Sequence, residues 1–179
     1  AEPGVIGGKM FSTRMLILGN GPSLKEEYLP LFRDFPCLGM NAAYRYWDRI
    51  DWYPEYYCCL DDQVVVSHAD NIRRLIEQSR CKRFFLHHHF FKTHPDMRGR
   101  KEISSLYQLL PGERNASRCA DHGLQHMPSD LFRSTNPGKV TTGAYAVRFA
   151  NYLGYKTVGL IGVDCRYVEK VPECKVVDG

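Results

Sequence analysis

The chain has 179 residues, of which 44% are hydrophobic and 25% charged, and its formal net charge is +4. That suffices for one domain with a sizeable core, and the composition is neither disordered nor fibrous. No run of eighteen apolar residues occurs, so no membrane-spanning helix is expected. The positive excess is too mild to call for a nucleic-acid partner.

Residues 1–13 open on Ala1-Glu2-Pro3-Gly4 and read as a linker or an expression remnant. Residues 14–179 read as one domain. Met15–Leu18 is a short apolar run bounded by turn residues, hence a buried strand. Gly19-Asn20-Gly21-Pro22 cannot continue it. Ser23 and Glu26 have the spacing of a capping box, which predicts a helix to about Phe32. Pro36–Gly39 and Tyr56–Leu60 are further candidate strands, ending at Asn41 and at Asp61-Asp62. Val64–Gln78 carries Val65, Ala69, Ile72, Leu75 and Ile76 on one helical face. Arg83–Leu86 is a fourth strand, followed by His87-His88-His89.

From about Phe90 to Lys139 the periodicity is poor, which fits a lid or binding loop. A short helix is expected inside it at Ile103–Leu110, stopped by Pro111-Gly112. Thr142–Leu153 is helical, with Gly154 ending it. Thr157–Gly162 is a strand that leads to Asp164. Val163–Gly179 supplies no closing element, so the carboxyl-terminal part of the domain is expected to be missing. Strands alternating with helices predict an α/β fold, with a mostly parallel sheet and helices on both faces.

Ligands of such sheets bind beyond the carboxyl ends of the strands. Those ends carry Gly19–Ser23, Asn41, Asp61-Asp62, His87–His89 and Asp164. Gly19 and Gly21 would let a ligand come close, and the next helix would offer N–H groups to a phosphate. A plain strand–turn–helix connection needs glycines too. Thr141-Thr142-Gly143 opens the second strong helix, where the hydroxyls either cap it or hold a phosphate or sugar. Asp62 is expected to cap the helix at Val64, which leaves Asp61 as the chemical candidate.

His87, His89 and His94 are the strongest candidates for a metal site, but no further ligand follows at a specific spacing, and no metal is expected. His122 and His126 are four apart in surroundings that are not helical. The aromatics Tyr44, Tyr46, Trp47, Trp52, Tyr53, Tyr56 and Tyr57 read as a core layer rather than a sugar platform. Seven cysteines, an odd number without Cys-x-x-Cys, read as reduced thiols of a cytoplasmic protein. The basic clusters at Arg80–Arg83 and Lys92–Lys101 read as a solvated face, and they admit peripheral contact with the inner membrane.

Leu18-Gly19-Asn20-Gly21-Pro22-Ser23-Leu24 resembles the opening motif of bacterial sialyltransferases of glycosyltransferase family 42. Asn41, Val140–Gly143, Leu153–Lys156 and Leu160–Asp164 are similar to later segments of that family, in the same order. The resemblance covers about residues 14–168 but not 90–139. It implies a Rossmann-like domain of GT-A type that binds a nucleotide sugar. That enzyme would transfer sialic acid or a related acidic sugar from a CMP-linked donor to a glycan or glycolipid acceptor, and would require no cofactor.

On that resemblance, Gly19, Asn20, Gly21, Pro22, Ser23 and Asn41 hold the nucleotide. Thr141, Thr142, Gly143, Asp164 and Arg166 meet the donor sugar or phosphate. Tyr167 helps the phosphate leave, and the general base lies beyond Gly179. Asp61-Asp62 departs from the family, which has an asparagine there. Acidic residues at that point look more like the related pterin diphosphokinase-like proteins and motility accessory factors. The alternatives are therefore a pyrophosphokinase using ATP and Mg²⁺ through Asp61, or a catalytically silent nucleotide-sugar-binding module.

Overall fold

The computed structural model describes residues 13–106 and 141–164. Six strands form one all-parallel sheet. They are β1 (Arg14–Leu18), β2 (Cys37–Met40), β3 (Tyr56–Cys59), β4 (Arg83–His87), β5 (Ile103–Leu106) and β6 (Thr157–Ile161). Their order is β5-β4-β3-β2-β1-β6, the arrangement of a Rossmann-like α/β fold. β2, β3 and β4 are almost wholly buried, which explains why they read as continuous apolar runs rather than alternating ones.

The chain steps from β1 to β5 in one direction, then returns to place β6 on the other side of β1. Right-handed crossovers put the connections of these two excursions on opposite faces. One face receives a 3₁₀ helix (Glu26–Phe32), α1 (Tyr44–Ile50), α2 (Asp62–Ser67), α3 (Ala69–Glu77) and α4 (Phe90–Thr93). The other receives α5 (Thr142–Tyr152). Among the described residues no helix is long and apolar enough to cross a membrane.

The first face is built on aromatic rings. Trp47 is fully buried, with its ring edge-on to Tyr57 at 6.0 Å, and Tyr57 leans on Phe84 at 5.9 Å. Gly39 belongs to this packing, because a Cβ there would lie 2.0 Å from the Trp47 ring. Tyr44, Trp47, Trp52 and Tyr57 are buried, so the dense aromatic segment does furnish a core layer. On the second face Ala146, Phe149 and Ala150 of α5 cover Met15, Ile17, Leu38, Cys58 and Phe85. Phe149 stacks on Phe85 with centroids 4.3 Å apart. Cys37, Cys58, Cys59 and Cys81 are buried free thiols. Burial pushes Cys37, Cys59 and Cys81 up to about 12, so they stay protonated.

Four local expectations are corrected. The expected capping box at Ser23 does not form: Lys25 is the N-cap and gives no side-chain bond. The segment is 3₁₀ rather than α, with Pro30, which lacks an N–H, inside it. The long helix at Val64–Gln78 divides at His68, whose Nδ1 lies 2.7 Å from the Tyr44 hydroxyl. Helix α1 has no counterpart in the sequence reading. Finally, Ile103–Leu106 is a strand and not the start of a helix. Its Ile and two serines are weak helix formers, and pairing with β4 satisfies the backbone instead. The opening of the lid-like stretch is thus ordered: α4, a 3₁₀ turn at Pro95–Met97 and β5 fall within it. Residues 107–140 of that stretch lie outside the described residues, as do residues 1–12 and 165–179.

Phe149→Ala removes a fully buried ring from the Phe85 stack. The expected loss is about 3–5 kcal/mol, read as a lower urea midpoint at unchanged m-value.

Candidate functional site

Strand order reverses at β1, and the crevice at such a reversal is where ligands of open α/β sheets bind. The loop after β1 and the end of β6 meet there. The Gly19 N–H donates to Ile161 O at 2.8 Å, the Gly21 N–H to Gly162 O at 2.8 Å, and the Ser23 N–H to Asp164 Oδ2 at 2.8 Å. A Cβ on Gly19 would stand 2.1 Å from Gly162 O, and one on Gly21 would stand 2.3 Å from Asp164 Oδ2. Both glycines are therefore required by the seating of the loop on β6. The expectation that they open the backbone to a ligand is not needed to explain them.

The Asp164 contact changes the electrostatics of the loop. A carboxylate of the chain already accepts from the Ser23 N–H. A phosphate at that amide would have to displace Asp164 and would be repelled by it. Asn20 is half-buried on the loop, and Pro22 and Ser23 are exposed.

The start of α5 differs. Helices of such a sheet run antiparallel to the strands, so this N-terminus lies at the carboxyl edge. Thr141 is the N-cap, and its hydroxyl oxygen accepts from the Ala144 N–H at 3.2 Å. Thr142 and Gly143 are half-buried in the first turn. Among the described residues a Cβ on Gly143 would meet nothing nearer than Thr141 Oγ1 at 3.9 Å. None of them demands a glycine there, although glycine in a helix costs about 1 kcal/mol against alanine.

Asn41 ends β2. Its backbone is left-handed, with φ of 49°, and its carbonyl oxygen accepts from the Tyr57 hydroxyl at 2.8 Å. Its Oδ1 is buried and, among the described residues, has no hydrogen-bond partner. Strained backbone and an unsatisfied buried acceptor each carry a cost, and the two coincide on a residue one strand from the reversal.

Asp61 and Asp62 are exposed at the end of β3. The cap expected of Asp62 falls to Asp61, because the helix starts two residues earlier than its apolar face indicates. Asp61 Oδ1 accepts from the Gln63 N–H at 3.0 Å and the Val64 N–H at 2.9 Å. Asp62 Oδ1 also accepts from Gln63 N–H.

The histidines regroup. The strand ends at His87, and the turn gathers His87, His88 and His89. His94 goes elsewhere: it is buried, with Nε2 3.1 Å from an Asp70 carboxylate oxygen. Burial pushes His87 down to about 4, helped by the charge of His89, so it is neutral near pH 7. β4 is three strands from β1, which separates this cluster from the Gly19–Ser23 loop by about 14 Å at the usual strand spacing.

Arg166, Tyr167, His122 and His126 lie outside the described residues. The sequence leaves Asp164 open between orienting a loop and touching a ligand, and in the structure it fastens the β1 loop. The sequence reading did not include His88, because strand alternation sends that residue to the opposite face. No family model matches the chain, and none of the curated proteins compared with it is similar enough to be a relative.

Asp61→Ala is expected to lose about 1 kcal/mol of stability, while Asp61→Asn keeps the cap and stays near the parent. Equal losses in both variants, measured by chemical denaturation, would show that the charge of Asp61 matters beyond the cap.

Proposed function

We propose that the chain binds a nucleotide at the carboxyl edge of β1, β2 and β6, as the donor half of a glycosyltransferase site. The observation that carries this reading is Asn41, a strained residue with a buried, unpartnered acceptor at the end of β2. A base amino group or ribose hydroxyl would supply the missing donor. The phosphate would lie at the start of α5, where Gly143 leaves space and helix N–H groups face an anion. Asp164 already accepts from the Ser23 amide, which favours the start of α5 for that role.

The resemblance to family 42 sialyltransferases makes a CMP-linked acidic sugar the donor of choice and a glycan hydroxyl the acceptor. Transfer would be direct displacement. A base takes the acceptor proton, the new glycosidic bond forms at the anomeric carbon, and CMP leaves with the electrons of the broken bond. No described residue is assigned as that base. A second reading, phosphoryl transfer with Mg²⁺, draws on the exposed pair Asp61 and Asp62. Capping by Asp61 Oδ1 competes with such ligation.

A thermal-shift titration separates the two. CMP is expected to raise the Tm without regard to Mg²⁺, by about 2.7 kcal/mol of added stability at a hundred times Kd. Stabilisation by Mg·ATP alone would favour phosphoryl transfer. Gly143→Val, which fills the space above α5, is expected to abolish the CMP effect while leaving the unliganded Tm within a few degrees. Unchanged CMP binding in that variant would remove α5 from the site.

A further inference from the structure

We propose that His87, His88 and His89 form a binding site for a divalent transition-metal ion, with zinc as the reference ion. The site is separate from the nucleotide site and does not rest on it. Each imidazole brings one nitrogen within 4.8 Å of the other two. The rings stand at nearly equal spacing, with centroids 4.4, 4.6 and 4.4 Å apart. Tetrahedral zinc with Zn–N bonds of 2.0–2.1 Å would need the nitrogens about 3.4 Å apart. Each ring would then move inward by about an ångström. His88 and His89 are only half-buried.

The scaffold under the cluster is rigid. His87 is the last residue of β4, and His89 immediately precedes α4. Phe90 and Phe91 anchor that helix in the core, while the N–H groups of Phe91 and Lys92 donate to the carbonyls of His88 and His89. Buried elements thus hold three consecutive ligands in one turn, as a metal site requires. Imidazole nitrogen suits zinc, copper, nickel and iron rather than magnesium or calcium.

Two neighbours bear on a cation. The carboxylates of Asp61 and Asp62, at the end of the adjacent β3, act on His87 through space and favour positive charge. A cation already occupies one of the nitrogens: the Lys92 ammonium lies 2.7 Å from His89 Nε2. Lys92 is exposed and long enough to withdraw into water. Metal binding would exchange one cation for another at that nitrogen. The bond from His89 N–H to His87 Nδ1 is long, at 3.3 Å, and is weakly held.

The test is a cobalt(II) titration of the full chain, followed by visible absorption and by displacement with zinc. One ion per chain is expected, with no thiolate charge-transfer band. His89→Ala should weaken binding by at least about tenfold. Lys92→Ala keeps all three imidazoles and should tighten binding several-fold, which preserves the test if the histidine variant folds poorly. The proposal is overturned by non-saturable binding, by a thiolate band, or by an affinity indifferent to both substitutions.

Discussion

Three backbone amides fasten the loop after β1 to the end of β6, and the carboxyl edge of the sheet takes its form from them. Two donate to β6-side carbonyls and the third to the side chain of Asp164. Amides that point at the protein cannot also point at a ligand. A glycine-rich loop after a first strand invites comparison with phosphate-cradling loops. Here the loop is turned sideways onto its neighbour strand. The anion it meets is the chain's own.

That arrangement divides the edge into unlike regions. Around β1 and β6 the loop is neutralised by Asp164. Across from it, among the described residues, nothing fills the first turn of α5 beside Gly143, and Asn41 keeps an unanswered acceptor. Three strands away, the end of β4 collects imidazoles beside two carboxylates. The proposed nucleotide site and the proposed metal site therefore draw on different strands of one sheet, and neither needs the other's residues.

Much of this was legible in the residues. Continuous apolar runs located five of the six strands within one or two positions; for β2, β3 and β4 the reason is burial on both faces, which demands apolar residues throughout. The amphipathic face of α5 and its closing Gly154, with φ of 94°, were plain as well. What failed was decided by contacts distant in sequence. Ile103–Leu106 became a strand because β4 offered an unpaired edge. The helix at Val64–Gln78 broke at His68, where Tyr44 meets its ring. Gly19 and Gly21 stood out in the sequence, but their packing partner, Gly162–Asp164, could not be read there because it lies at the other end of the chain. His88 was passed over because alternation holds only while a strand continues.

The bond between Ser23 and Asp164 joins residues 141 apart in sequence. Closing so long a loop is entropically costly, and non-local parallel pairing is slow to form. Strands β1 to β5 follow one another with short connections, so they can assemble as the chain emerges. β6 must find β1 across everything made in between. Until it does, the loop after β1 has nothing to donate to, and the crevice at the reversal has only one wall. The carboxyl edge at β1 is thus complete only once β6 has docked.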